Sequence, residues 1–374
     1  MMCLLPEIKM KRIFALALLF GVSFLHAGAA EKTEVLVYTH NGPTLDGKAG
    51  YVHDNIAACV KAIEKIGAQN GFGVVHSDNP GVFTNSALKH YRAIIFANSN
   101  NKAFDNEQER KAFQDYIHSG GGFVGIHSAT GSERDWPWFW KLIGGSFSWH
   151  APLQTFTIQI KDHQHPATAF FKQDTWDWED EFYVMKEQPN HLQVLLEGNI
   201  KKLKGVDQGK LKALEKVAAD VNSSDPIKIG ETLHIVFSDT ASPVPAMNTK
   251  VREDGTITLM FNQTFHVLGK KPADLAEEIR QRFVPDYYFK LNATVMQGLG
   301  PPPTAAFTDF SRKRSSGSGT NSEAIMVPLA WYHEFEGARS FYTALGHKKE
   351  YYSDPNFVKH LTGGILWAMR EDTR

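Results

Sequence analysis

Cysteine is nearly absent: the 374 residues contain Cys3 and Cys59 and no others. Cys3 lies in a stretch expected to be removed, so the mature chain keeps one thiol and cannot form an internal disulfide. Cys59 reads as a small buried apolar residue on a helix face. Net charge is nearly absent too, because 40 Lys and Arg face 41 Asp and Glu. No long-range field draws the protein to nucleic acid or to an anionic membrane, and neither is expected as a partner. The apolar run from Ile13 to Leu25 is too short for a stable membrane span. No closely spaced set of His, Cys and carboxylate residues announces a metal centre, so a metal site here has to be gathered from distant segments.

What the chain does have is the composition of a folded soluble protein, 42% hydrophobic and 22% charged. Its length exceeds that at which single cores stop growing, which points to more than one domain. Lys9, Lys11 and Arg12 precede the apolar run, and the small residues Ala27, Gly28, Ala29 and Ala30 follow it. That is the order of a cleavable signal peptide over residues 1–30. It predicts a periplasmic or secreted protein, exported without a lipid anchor. Met10 is an alternative start.

Glu34–Tyr38, Phe72–His76 and Ala93–Ala97 read as strands. Ile56, Val60, Ile63 and Ile66 recur at helical spacing with Gly67 as a stop, and Asn106–Ile117 forms a second helix. Strand and helix in alternation predict a doubly wound parallel sheet, whose sites lie at the carboxyl ends of its strands. The organising stretch is GGGFVGIHSAT, Gly120–Thr130. Its apolar run Phe123–Ile126 stops abruptly at His127, as a buried strand does when it turns sharply into a helix. Related elbows in hydrolases carry a Ser or Cys nucleophile. Here the exposed position is His127, with Ser128 beside it. An imidazole suits metal ligation or proton transfer better than acyl-enzyme chemistry.

Beyond this the pattern changes. Trp136, Trp138 and Trp140 crowd one short stretch, and His150 follows. Thr155–Ile160 alternates as a strand, Trp176–Tyr183 is dense in acids and aromatics, and His191–Leu196 is a further strand. Residues 200–224 are lysine-rich and read as a solvated helix or linker. Residues 225–297 have a character of their own: strands at Thr232–Phe237 and Thr256–Phe261, a turn at Glu253–Gly255, and a helix at Pro272–Phe283. A Gly-, Pro- and Ser-rich linker, 298–322, separates them from residues 323–374. There Ile325–Trp331 and Arg339–Thr343 are strands and Asn356–Met369 is a closing helix. One α/β domain, 31–199 plus 323–374, interrupted by a small α+β domain accounts for this order.

HNGP (His40–Pro43), GGGFVGIHSA (Gly120–Ala129), His150, DEFY (Asp180–Tyr183) and PLAWYHEFEGARSFYTALGH (Pro328–His347) together resemble the ThuA-like, or trehalose-utilisation, family. The resemblance implies a flavodoxin-like fold related to class I glutamine amidotransferases, and a role in sugar catabolism. His127 stands where the amidotransferases have cysteine, so glutaminase activity is not implied. Within the interruption, DPIKIGETLHIVF, VREDGTITLMF and VLGKKPADLAEEIRQRF resemble the N-terminal module of polysaccharide-export proteins. Gly230-Glu231 replaces the usual Gly-Asp there, and the inference is a module facing carbohydrate or cell envelope, not transport.

His40, His127, His150 and His347 fall at strand ends or in adjacent loops. Brought together, three or four imidazoles suit zinc or manganese with a position open to substrate. The alternatives are a metal-free pocket whose histidines hydrogen-bond sugar hydroxyls, and a site where only His127 and His347 meet. Asp180 and Glu181 are adjacent, so in extended chain they face opposite ways. Glu181 is favoured as the acid or base beside His127, with Asp180 orienting a loop. Tyr183 and Trp178 are candidates to stack on a pyranose ring, with Ser128 also in the pocket. Arg339 is expected to pair with Asp180 or Glu181. The expected activity is acid/base chemistry on a disaccharide or 3-keto glycoside, the alternative a non-enzymatic glycan-binding or envelope-assembly role. Nothing in the sequence fixes the oligomeric state.

Overall fold

The structure, a computed structural model, describes residues 33–188, 192–221, 225–238, 240, 244–289, 291–297 and 324–371. The leader at 1–30 and the linker at 298–322 lie outside these residues. The first strands form where apolar β-branched runs meet turn residues: β1 (Glu34–Tyr38), β2 (Gly73–Ser77), β3 (Tyr91–Ala97) and β4 (Gly122–Ile126). Between them run α1 (Ile56–Asn70), the single turn α2 (Asn85–Leu88) and α3 (Glu107–His118). Asn106 caps α3 by accepting from the Glu109 N–H at 3.0 Å. After β4 a 3-10 turn, His127–Gly131, leads to α4 (Pro137–Ile143).

Alternation along each strand assigns the two cores. Val35, Val37, Ile95 and Val124 face Cys59, Ile63 and Ile66 of α1. Leu36, Ile94, Phe96 and Phe123 face Phe113 and Ile117 of α3 and Phe139 of α4. Full burial of Ile63 or Phe113 contributes roughly 2 to 3 kcal/mol each.

The chain then builds an antiparallel extension from β5 (Ser146–Ile160), β6 (Thr175–Glu187) and β7 (Gln193–Asn199). β5 starts nine residues before the strand expected at Thr155, because pairing with β6 carries the extended chain back past His150. The lysine-rich stretch contains helix α5 (Gln208–Val221). Next come β8 (Thr232–Ser238), β9 (Met247–Lys250), β10 (Thr256–Thr258), β11 (Thr264–His266), α6 (Pro272–Phe283) and β12 (Asn292–Gln297). They form a three-stranded sheet, β12-β8-β9, and a hairpin, β10-β11, around a core of their own that includes Leu233, Ile257, Leu275 and Phe283. The strand expected at Thr256–Phe261 stops at Thr258; Phe261 and Asn262 then take left-handed backbone, φ 55° each, which no strand continues through.

β13 (Met326–Phe335), β14 (Ala338–Thr343) and α7 (Pro355–Ala368) return to the large sheet. Pro328, which cannot donate to a ladder, lies where the β13–β7 register shifts. The completed sheet has the order β2-β1-β3-β4-β14-β13-β7-β5-β6, its first five strands parallel and the rest antiparallel. The flavodoxin-like α/β architecture expected from the sequence is present, widened by the antiparallel half. Among the described residues no helix is long and apolar enough to cross a membrane.

α7 buries His360 completely, with its Nδ1–H donating to the Ala167 carbonyl at 2.9 Å. Burial pushes this imidazole down to about 4. Above pH 6.5 it is neutral folded or unfolded; below that the unfolded chain takes up the proton first, so stability falls with pH. At pH 5 the loss is about 2 kcal/mol. In urea denaturation at pH 7.5 and pH 5, His360→Gln should show a drop smaller by about that amount than the native chain. Equal drops would mean that this imidazole is not the acid-sensitive group.

Candidate functional site

The register of the parallel strands assembles the site. Thr343 of β14 lies beside Ile126 of β4, and Ala97 of β3 lies on its other side. The residues just past these strand ends, His127, Ala344–His347 and Asn98, therefore meet at one edge of the sheet. His127 stands at the sharp turn anticipated from the glycine-rich stretch, with φ 51°, but its side chain is fully buried where exposure was expected, because His53, Tyr183 and the Ala344 carbonyl close around the ring. On the antiparallel side, His150 of β5 pairs with Tyr183 of β6, which brings Glu181 to the same edge.

Glu181 stands among imidazoles. Its Oε2 is 3.7 Å from His127 Nε2 and 3.3 Å from His347 Nδ1, and its Oε1 is 3.5 Å from His150 Nδ1. A further histidine, His53, completes the group: its ring centroid is 4.8 Å from that of His127 and 5.4 Å from that of His347. His53, His127, Glu181 and His347 each offer one ligand atom, all within 4.8 Å of one another. The His127 Nδ1–H donates to the Ala344 carbonyl at 2.7 Å, since a carbonyl only accepts. That leaves Nε2 with its lone pair inward, 3.0 Å from the Tyr183 hydroxyl. Burial, and next Glu181, hold the Tyr183 hydroxyl well above its usual range, so it keeps its proton and donates to Nε2.

Burial, then His53, holds His127 well below the ordinary histidine value. Burial, then His347, lowers His53 to about 4. Both rings are neutral at pH 7, the form that ligates a metal. His53 Nδ1 is buried without a hydrogen-bond partner, and His347 Nδ1 has only the Glu181 carboxylate, at 3.3 Å. Buried polar atoms of this kind call for an unseen partner. Three imidazoles and a carboxylate suit zinc or manganese, so this donor set fits a divalent cation.

Asp180 faces away from the cluster and is fully buried. It accepts from the N–H groups of Gly346 (2.8 Å), His347 (3.3 Å) and Glu181 (2.9 Å), and from Trp178 Nε1 (2.9 Å). Burial pushes it up to about 7 while these donors pull it back. From the other side Asn55 Nδ2 donates to the carbonyls of Gly346 (2.6 Å) and His347 (2.8 Å). Asn55 is the N-cap of α1 but makes no cap bond; its own backbone is helical, φ -83° and ψ -11°, and its Nδ2 is turned to this loop. The two side chains together fix His347.

Some sequence expectations end elsewhere. His40 is not in the cluster; its Nδ1 lies 2.8 Å from the Asp78 carbonyl beyond β2. β1 is two strands from β4, about 10 Å away, too far to share an ion. Trp178 packs among Trp176, Tyr351 and Phe357, so no face is open to a sugar. Arg339 does not reach Asp180 or Glu181. It lies at the start of β14, about 13 Å from its site end, donating to the Trp367 carbonyl at 3.1 Å. Ser128 is buried in the 3-10 turn beneath the site. His53 was missed because no strand or helical period marks it. The available signal was its place two residues before the Asn55 cap of the first βα helix, at the carboxyl edge where sites form.

Fold and site define a flavodoxin-like α/β protein with histidine at the strand-to-helix elbow. The chain belongs to the ThuA, or trehalose utilisation, family, whose model matches residues 35–217 and 299–368. This gives it a role in carbohydrate metabolism. The residues between the matched stretches hold the separate small core. A search of curated proteins gave no match. Similar solved structures include a ThuA-like protein from Bacteroides uniformis, 16% identical, covering 94% of this chain and 97% of that one with TM-score 0.48. A ThuA-like protein from Parabacteroides merdae is 13% identical, with 92% of each chain covered and TM-score 0.45. A glutamine amidotransferase from Thermotoga maritima is 14% identical, over 44% of this chain and 66% of that one, with TM-score 0.29.

Replacing Asn55 with Ala strips the His347 carbonyl of its donor and leaves the Gly346 carbonyl with the Tyr352 hydroxyl alone. The variant should be about 2 kcal/mol less stable in thermal denaturation, and zinc titration should show weaker binding as His347 loses its fixed position. Unchanged stability and unchanged zinc affinity would show that the loop holds itself.

Proposed function

We propose that the protein is an exported enzyme of carbohydrate catabolism, acting on a disaccharide or 3-keto glycoside by metal-assisted acid/base chemistry. The observation that carries this reading is the convergence of His53, His127, His347 and Glu181 within 4.8 Å. A divalent ion such as zinc or manganese, when bound there, polarises a sugar hydroxyl or keto oxygen and stabilises negative charge on it. The chain's own residues do the rest. His53, His127 and His347 turn ring nitrogens inward with the Glu181 carboxylate beside them, and His127 Nε2 would exchange its hydrogen bond from Tyr183 for the ion. His150, whose side chain is 40% exposed, stands at the rim beside Glu181, placed to pass a proton to or from solvent. Asp180 and Asn55 orient; they do not touch substrate.

On a 3-keto glycoside the C3 carbonyl makes the C2 proton acidic. A base at His150 or Glu181 takes that proton, a C1–C2 double bond forms, and the C1–O bond breaks toward the aglycone, which receives the proton. Addition of water across the double bond then completes hydrolysis. No covalent enzyme intermediate is needed, in keeping with an elbow that carries imidazole.

A second reading, glycan binding or envelope polysaccharide assembly without catalysis, draws on residues 225–297. Phe261 and Tyr287 stack there at 4.6 Å, exposed at 54% and 42%. Exposed aromatic faces of this kind suit sugar rings. Titration with a glycan panel beside a turnover assay separates the readings, because binding without product belongs to the second.

The direct test is His127→Ala, expected to keep its fold, lose stoichiometric metal in elemental analysis, and lose turnover of a 3-keto glycoside by about a hundredfold or more. A well-folded variant with native turnover would remove the histidine cluster from the chemistry.

A further inference from the structure

Beside the histidines, between the loop that follows β1 and the loops that follow β3 and β4, lies a cleft of about 480 Å3 lined by Thr44, Tyr51, Asn100, Asn101 and Arg134 among others. Its volume is in the range that holds a small ligand. It shares walls with the site. The Tyr51 ring meets the His53 ring edge-on at 4.7 Å. The Arg134 guanidinium lies over Phe147 at 5.6 Å, and Phe147 packs on Tyr183 at 4.6 Å, whose hydroxyl reaches His127. Tyr51 is 63% exposed, an aromatic face presented to solvent at the mouth.

Arg134 is the unusual member. Its Nε–H donates to the Gly131 carbonyl at 3.0 Å, and Nη2 lies 3.4 Å from Asn100 Oδ1, so the fork is held in place. Yet among the described residues no carboxylate pairs with it. Asp46, across the cleft, is engaged by Lys48 at 2.6 Å. Glu133 and Asp135 on either side of it are engaged by Arg110, at 2.5 and 3.3 Å. A guanidinium kept partly from water with no counter-charge is costly unless something supplies one, and burial lowers its pKa accordingly. The surrounding backbone is strained as well: Asn101 and Glu133 are left-handed, φ 60° and 48°. Such strain collects where a ligand is held.

We propose that this cleft receives an oxyanion carried by the sugar, a carboxylate or a phosphate, at Arg134, with the sugar ring against Tyr51, so that the substrate is an acidic glycoside. This rests on the carbohydrate reading above. It makes Arg134 and Tyr51 residues that choose the substrate, and it leaves the chemistry to the histidines. Guanidinium and oxyanion match in geometry and charge, and the nearby aromatic supplies a flat apolar face for the ring.

The test is isothermal titration of the full chain, at low ionic strength, with glucose, glucuronate and glucose 6-phosphate. One of the two anions should bind about tenfold or more tightly than glucose, and whichever does identifies the oxyanion. Arg134→Gln should erase the preference, Arg134→Lys should keep part of it, and Tyr51→Ala should weaken all three ligands alike. The lysine variant guards against a glutamine variant that fails to fold. Glucose binding as tightly as both anions, or a preference that survives in a folded Arg134→Gln, overturns the proposal. An anion preference without turnover of any acidic glycoside would count against the catalytic reading and leave this one standing. Turnover of a neutral glycoside that depends on His127, with no anion preference, would do the reverse.

Discussion

The site depends on one pairing, the parallel alignment of β14 with β4 that sets Thr343 beside Ile126. His127 and His347 are 220 positions apart in sequence, and only this ladder brings their rings to 5.4 Å. Everything else refines it. The left-handed elbow at His127 aims one ring, Asp180 and Asn55 clamp the Gly346–His347 peptide from both sides, and the β5–β6 pairing slides Glu181 and His150 to the same edge. The clamp needs both polarities: Asp180 accepts the loop's N–H groups, while Asn55 donates to its carbonyls. No single side chain could satisfy that peptide on both faces.

The parts of this arrangement that local rules control were legible in the sequence. Apolar runs bounded by turn residues marked β1, β3 and β4, and three glycines before an abrupt stop marked the elbow. Period-two alternation told Glu181 from Asp180, since neighbours on an extended chain must part. What could not be read is what depends on strand order. His40 looks like a strand-end ligand until β3 is inserted between its strand and β4. Arg339 looks like a partner for the acids until the direction of β14 puts it at the far end. Trp178 looked available because a sequence does not show which face of β6 the closing helix will cover, and Phe357 of α7 covers it. His53 carried no signal of its own; it acquires one only from Asn55, whose amide is tied to a loop nearly three hundred positions away.

Electrostatics follow the same division of labour. Around Glu181 burial keeps the rings of His53 and His127 neutral, so they add no fixed cation there. Around Arg134 the position is inverted: a fixed cation lies close by while its potential partners are committed to Lys48 and Arg110. The Arg134 cleft and the histidine cluster meet through two phenols, Tyr51, edge-on to His53, and Tyr183, packed on His127.

The order in which the sheet is filled has a consequence for biogenesis. β14 occupies the middle of nine strands but is among the last to be synthesised, after the whole of residues 225–297. Until it emerges, β4 presents an unpaired apolar edge, and the antiparallel half has no partner on its inner side. Closing so long a loop is slow compared with making local contacts, so the nascent chain passes through a state with two open sheet edges. Chaperone capture, proteolysis and aggregation would all act on that interval, and a chain cut short before β13 and β14 would remain in it.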